Sequence, residues 1–436
     1  MSQEPFSLSI RQLGDVGAHW QRKVMPPDAL HYIPPHGGGW GVVRMALLVP
    51  ESVVLMVAPA VCGRISALRG LQVGYRKRFY LLGVTERDLV TGQYMEKISE
   101  AAAEILAHLD PRPRVLLLCA TCVDDLLGSD YETKARQLER EHGLLVRAIH
   151  LKPTAADGKR PSGLATQLAV YDLLEPSEER DSSINVIGSP APIEEGSEFH
   201  EVMAAAGIQK VRHIAACANL EEFQQMSRAR LNLLARPLAR LAVQHMEGKL
   251  GIPYCYTPVA YNLETIARSY RFLSERLGVP LATDRYREEA ERAIDSYRRE
   301  LGPLTVAVGS TVNAGPFELA RALTEYGLVV KYVFTNTVLD YEMEHVEWLK
   351  ERLPDLVVFT NSHTSMAGFL HLGLRVDLAM GFEAGYYCSG ARTVPLPADT
   401  QPYGYRGVVW LLRQMADALQ NPKSHRQAMY ESFALM

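Results

Sequence analysis

Several segments that would assign this chain at once are missing. No G-x-x-x-x-G-K-(S/T) run occurs: Gly248-Lys249-Leu250 and Gly158-Lys159-Arg160 have neither its spacing nor its hydroxyl residue, which argues against ATP hydrolysis through a P-loop. No G-x-G-x-x-G turn occurs either. His36-Gly37-Gly38-Gly39-Trp40-Gly41 is glycine-rich but lacks the third glycine and a preceding strand, so no nucleotide is expected on this chain. H-E-x-x-H and G-x-S-x-G are absent, which argues against a zincin and an α/β hydrolase. Neither sign of charge dominates: 46 Lys and Arg stand against 50 Asp and Glu, a net charge of −4, and nothing implies nucleic acid. The most apolar stretch, Met45 to Val61, is interrupted by Pro50-Glu51-Ser52 and Pro59, well short of the roughly 20 residues of a spanning helix, so no membrane is expected. Met1-Ser2-Gln3-Glu4-Pro5 does not open a basic and then apolar leader, and the expectation is a cytoplasmic protein.

Cysteine is scarce, six in 436 residues, and its placement is informative. Val53 to Val57 and Val115 to Leu118 read as buried strands, each followed by a turn; Cys62 comes after the first, and Cys119 and Cys122 come at or after the end of the second. In a reducing compartment, cysteines near one another are more often metal ligands or catalytic thiols than disulfides. Cys217 and Cys255 read as core residues, and Cys388 as core or site.

With 47% hydrophobic and 22% charged residues the chain is an ordinary globular composition, long enough for two or three domains. Further strands are expected at Leu144 to Ile149, Ile184 to Ile187, Lys210 to Ala216, Leu304 to Val308, Val329 to Phe334, Leu356 to Thr360 and Leu378 to Met380. Helical periodicity covers Tyr94 to Leu109, Leu220 to Met246, Asn262 to Leu277, Asp284 to Leu301 and Pro316 to Tyr326. Strands alternating with helices mean α/β with parallel, doubly wound sheets. The charged connector Glu175-Pro176-Ser177-Glu178-Glu179 and the Gly302-Pro303 break divide the chain into three Rossmann-like domains, 1–180 with the cysteines, 181–302 with long helices, and 303–436.

Thr121-Cys122-Val123-Asp124-Asp125-Leu126-Leu127-Gly128-Ser129-Asp130 resembles the T-C-x-x-x-(V/L)-(I/L)-G-(D/S)-D segment of nitrogenase component 1 subunits and their protochlorophyllide reductase and nickel-sirohydrochlorin cyclase relatives. Ala58-Pro59-Ala60-Val61-Cys62-Gly63 is similar to the family's G-P-x-x-C-(G/A), Met246 to Tyr254 to its M-E-x-x-x-G-I-P-(W/F), and Pro402-Tyr403-Gly404-Tyr405-Arg406-Gly407 to its P-Y-x-G-(F/Y)-x-G. These segments stand in family order from about residue 40 to the carboxyl end. The resemblance implies a substrate-reducing subunit of three Rossmann-like domains. It also implies an iron–sulfur cluster, of the 4Fe-4S or P-cluster kind, held at a subunit interface by cysteines of two chains and fed by a separate iron protein that hydrolyses ATP. Cys62 and Cys122 match two cluster-ligand positions; thiolate is the soft, anionic ligand such clusters use.

The chain also departs from the pattern. Ala235 occupies the position of the cofactor-anchoring cysteine, and Thr393-Val394-Pro395-Leu396 the region of the cofactor's histidine, so the large molybdenum- or vanadium-type cofactor is not expected in its usual anchorage. A third amino-terminal cysteine is missing, and only His36 stands in a similar neighbourhood. Cys119 with Cys122 also reads as a thioredoxin-like dithiol, although Asp124-Asp125 would disfavour the thiolate.

Ligands of doubly wound sheets lie beyond the carboxyl ends of strands. Such ends carry His213 to Asn219, Gly309 to Asn313, Asn361 to Thr364 and Gly381 to Glu383. His213, His363 and Glu383 are the candidate proton-handling residues. Gly309-Ser310, opening onto the helix at Pro316, is a candidate seat for an anionic substituent. The resulting expectation is a reductase subunit with Cys62 and Cys122 as metal ligands and Cys119 and His36 as further cofactor-site candidates. It would pair as a homodimer or with a paralogous subunit. A cofactor-assembly scaffold, a dithiol redox protein and a plain binding module are the alternatives.

Overall fold

The computed structural model describes residues 6–17, 40–72, 74–151, 162–336, 338–361 and 363–431. His36 lies outside them. The strands are β1 (Ser7–Ser9), β2 (Ser52–Ala58), β3 (Phe79–Gly83), β4 (Val115–Ala120), β5 (Leu145–His150), β6 (Ser183–Ile187) and β7 (Lys210–Arg212). They continue with β8 (Leu231–Leu234), β9 (Tyr254–Tyr256), β10 (Thr305–Val308), β11 (Val329–Phe334), β12 (Val357–Phe359), β13 (Leu378–Met380) and β14 (Arg392–Val394). They form three sheets, ordered β3-β2-β4-β5, β7-β6-β8-β9 and β1-β12-β11-β10-β13-β14. Among the described residues every pairing is parallel except β1 with β12, an antiparallel edge that the sequence did not announce.

The architecture is the α/β fold of parallel Rossmann-like sheets that the pattern predicts. Each sheet takes its parallel strands from one of the segments 1–180, 181–302 and 303–436. Compactness groups the chain into two units: residues 38–192 with 208–257, and residues 1–37 with 193–207 and 258–436. The first unit holds the β2–β5 and β6–β9 sheets, and the second holds the β10–β14 sheet.

The apolar runs follow from burial on both faces. In β2, Val54, Met56 and Ala58 enter one core cluster while Val53, Leu55 and Val57 enter another; in β4, Val115, Leu117 and Cys119 alternate with Leu116, Leu118 and Ala120 in the same way. A strand covered on both sides has no polar face, so it reads as a continuous hydrophobic run.

Two elements differ from the sequence reading. Leu220 to Met246 is not one helical tract: short helices Leu220–Gln224 and Gln225–Arg228 give way to β8, a turn at Pro237–Ala239, and the helix Arg240–Leu250. Leu231-Asn232-Leu233-Leu234 is too short an apolar run for periodicity to separate strand from helix. The strand expected through Ala216 stops at Arg212, where His213 turns the chain into a 3-10 segment, Ile214–Ala216.

Candidate functional site

In each sheet the parallel strands start in the interior, wind one way and then the other, which leaves a topological switch point between two neighbouring strands; parallel α/β sheets bind their ligands there. The switch points fall between β2 and β4, between β6 and β8, and between β10 and β13.

Cys62 follows β2 and Cys122 follows β4. These strands are adjacent and parallel, with Leu55 opposite Leu118 and Met56 opposite Cys119, so both thiols leave the sheet at the same carboxyl edge. Cys62 is exposed and Cys122 half-buried. Cys62 lies in the first turn of helix Ala60–Gln72, its N–H on Pro59 O at 2.9 Å. Gly63 is needed next to it, because a Cβ there would overlap Leu81 of β3.

The Thr121–Asp130 segment is a built turn. Thr121 Oγ1 donates to Val57 O of β2 at 3.1 Å, and Asp124 Oδ2 accepts from Thr121 N at 2.7 Å. Tyr131 OH donates to Asp124 Oδ1 at 2.7 Å, and Tyr94 OH meets Ser129 Oγ. Gly128 has φ +65°, and Asp130 caps helix Tyr131–His142 by accepting from Thr133 N at 2.9 Å. These contacts fix where Cys122 emerges. Asp124 and the two tyrosines were not recognised as a group from sequence; the acidic residue two positions after the cysteine was the available signal.

Cys119 is a different case. It sits inside β4 with no exposed surface, and burial first and then the Asp124 charge push its thiol up to about 12. A fully buried thiol this hard to ionise packs into the core and does not behave as half of a reactive dithiol. Cys217 and Cys388 are pushed up by burial to about 11 and about 12, and Cys255 is buried in β9. Among the described residues no three His, Cys, Asp or Glu side chains converge as a metal site.

Each proton-handling candidate has partners within its own unit. His213 is 2% exposed; its Nδ1 accepts from Ala215 N at 3.0 Å and its Nε2 meets Ser189 O at 3.1 Å. Burial lowers its pKa to about 4, so it is a neutral capping residue. His363 Nδ1 engages Ser365 N at 3.2 Å and Ser365 Oγ at 2.7 Å, capping the 3-10 segment Thr364–Leu372.

Glu383 stands at the β10–β13 switch point, fully buried. Its Oε1 accepts from Ser310 Oγ at 2.8 Å and Asn361 Nδ2 at 2.7 Å, and its Oε2 from Thr311 N at 2.7 Å and Thr311 Oγ1 at 3.2 Å. The seat that the sequence suggested for a ligand's anionic group is therefore filled by the chain's own carboxylate. Gly309 permits this, since a Cβ there would lie 2.7 Å from Glu383 Oε2.

The Pro402–Gly407 motif is likewise structural. Glu198, fully buried, accepts from Tyr405 N at 2.6 Å, Arg406 N at 3.0 Å and Tyr270 OH at 2.9 Å, closing the start of helix Tyr405–Gln420. Gly404 has φ +78°, and a Cβ there would overlap Glu198 Oε1.

A family model described as nitrogenase component 1 type oxidoreductase matches residues 38–420. The chain belongs to this family. Its members are oxidoreductases. Nitrogenase molybdenum-iron protein alpha chain of Methanothermobacter marburgensis is 24% identical over 366 residues, 79% of this chain and 75% of that one. Nitrogenase iron-molybdenum cofactor biosynthesis protein NifE of Clostridium pasteurianum is 24% identical over 65% of this chain and 68% of its own. Light-independent protochlorophyllide reductase subunit N of Rhodopseudomonas palustris is 23% identical over 60% and 62%. The solved structure "Nitrogenase Cp1 at pH 6.5" superposes with a TM-score of 0.72 over 91% of this chain and 95% of that one, at 16% identity, which establishes the fold. No helix among the described residues of this family member is long and apolar enough to cross a membrane.

Proposed function

We propose that this chain is the substrate-reducing subunit of a nitrogenase-like reductase, with Cys62 and Cys122 holding an interfacial iron–sulfur cluster. The observation that carries the reading is the emergence of both thiols at one carboxyl edge, flanking the switch point between β2 and β4. The donor set fits: two thiols, one exposed and one half-buried, within reach of a second chain that would supply the remaining ligands. Such a cluster supplies one-electron transfer when bound. The chain's own part is to anchor two of its sulfur ligands and to present apolar surface to a partner. Val61 is 82% exposed, Val90 82% and Leu127 52%, one on each helix that follows β2, β3 and β4. In this reading they are the apolar surface a partner would cover, on helices that leave three neighbouring strands. The partner is a second copy or a paralogous subunit, and electrons come from a separate ATP-hydrolysing iron protein.

Ala235 is 6% exposed in the turn after β8, and Thr393 Oγ1 is within 3.2 Å of His425 Nδ1. Neither is a metal donor of the kind expected for a large metal cofactor, and such a group takes no part in the proposed reaction. The substrate is instead an organic molecule or another metallocofactor. Similarity to a cofactor biosynthesis protein favours a second reading, an assembly scaffold of the same fold.

Anaerobic purification with iron and acid-labile sulfide assays tests the ligand assignment. Cys62→Ser and Cys122→Ser each abolish the brown chromophore while the protein stays folded; full iron in either variant refutes it. A scaffold would release its metal cargo to an acceptor protein on mixing with an iron protein and ATP, without turnover.

A further inference from the structure

Two residues beyond Cys122, the carboxylate of Asp124 is 3% exposed, inside the turn that presents the thiol. Its charge is compensated by hydrogen bonds: Thr121 N at 2.7 Å and Thr121 Oγ1 at 3.4 Å on Oδ2, and Tyr131 OH at 2.7 Å on Oδ1. Tyr131 is itself 1% exposed, and burial first and then the facing carboxylate push its phenol well above the ordinary range, which keeps it an O–H donor. No cation is paired with Asp124 among the described ion pairs. A buried charge held only by dipoles acts strongly on its surroundings, because little solvent intervenes.

We propose that Asp124 and Tyr131 form a positioning and tuning pair for the cluster site at Cys122: Asp124 orients the cysteine turn and imposes negative charge, and Tyr131 moderates that charge. The pair deepens the reading of Cys122 as a cluster ligand and rests on it. Placing negative charge beside a site that must accept an electron opposes the reduction, while a hydrogen bond to the carboxylate spreads that charge and eases it. The two members of the pair therefore act on the same electron with opposite sign. A purely structural role for either residue would give no such antisymmetry.

The experiment is a redox titration, followed by electron paramagnetic resonance, of the anaerobically purified complex carrying Asp124→Asn or Tyr131→Phe, with iron content measured in parallel. Expected are a midpoint potential raised by Asp124→Asn, one lowered by Tyr131→Phe, and iron equal to the parent's in both. Unchanged potentials, or shifts of the same sign, overturn the inference while leaving the ligand assignment standing. A parent protein without iron overturns the ligand assignment instead. If Asp124→Asn does not accumulate folded, Tyr131→Phe decides by itself: a lowered potential supports the pair, and an unchanged or raised one refutes it.

Discussion

The switch point between β2 and β4 and that between β10 and β13 are topological equivalents with opposite contents. The first is flanked by Cys62 and Cys122, one exposed and one half-buried. The second is stoppered by Glu383, whose two oxygens accept from Ser310, Thr311 and Asn361. Parallel sheets converge strand ends and unpaired backbone N–H groups at such places, and the chain must either leave the crevice for a ligand or fill it. In one unit it leaves soft sulfur donors there. In the other it supplies its own anion, so the crevice becomes part of the core. The same device recurs in that unit with Glu198 at the start of helix Tyr405–Gln420 and with Glu342, whose Oε1 accepts from Phe317 N at 3.3 Å at the start of helix Pro316–Glu325.

The comparison breaks most sharply at Glu383. Glu383→Ala strands three side chains' donors and leaves a cavity, and should destabilise its unit by about 3–5 kcal/mol in urea unfolding. Cys62→Ser, at an exposed position, should change stability by about 0.5 kcal/mol or less while removing the iron. An equal stability loss in the two variants would end the distinction between a switch point stoppered by a buried carboxylate and one flanked by more accessible thiols.

Gly404→Ala comes next. It places a Cβ against Glu198 Oε1 and 2.6 Å from Tyr270 OH at a positive φ, and should cost about 3 kcal/mol by the same measurement.

The two units should also respond to opposite ends of the pH scale. Burial raises Glu318 and Glu342 to about 7, above the roughly 4.3 of a carboxyl in the unfolded chain. Their contribution is complete below the unfolded value and is lost as pH rises through 7. Burial lowers His213 to about 4, so its contribution is present above the unfolded value of about 6.5 and is lost as pH falls toward 4. Thermal unfolding between pH 6 and pH 8 should show a falling Tm that Glu318→Gln or Glu342→Gln flattens. A Tm that rises over this range would contradict the carboxyl assignment.

The smallest effect sharpens the cysteine assignment. Cys119→Ala should cost about 1 kcal/mol for the lost packing and leave the iron content of the protein unchanged, in contrast to Cys122→Ser three positions on. Loss of iron would return Cys119 to the site.

Much of the fold is legible in the residues. Strands buried on both faces, such as β2 and β4, stand out as apolar runs, and long amphipathic helices such as Asp284–Leu301 carry a clear period. Some short elements are not legible: β8 has four residues and β9 and β14 three each, and so few residues cannot display a period, whereas the equally short β7, β12 and β13 were picked out by their β-branched or apolar residues. The positions of Cys62 and Cys122 just past two buried strands were legible, because those strands stand out as apolar runs. Glu383, His213 and Asp124 were not. A polar side chain at a strand end has the same sequence appearance whether it faces a ligand or its own backbone, and only its partners tell the two apart.

By itself, then, the amino-acid order determined which stretches become parallel strands and which residues emerge just past their ends. Tertiary structure alone decided that β2 lies beside β4 and β10 beside β13, and hence that Cys62 and Cys122 share an edge while Glu383 closes on Ser310 and Thr311. Strand order in a parallel sheet is set by crossovers and by packing on both faces, interactions between residues far apart in the chain that no local pattern records.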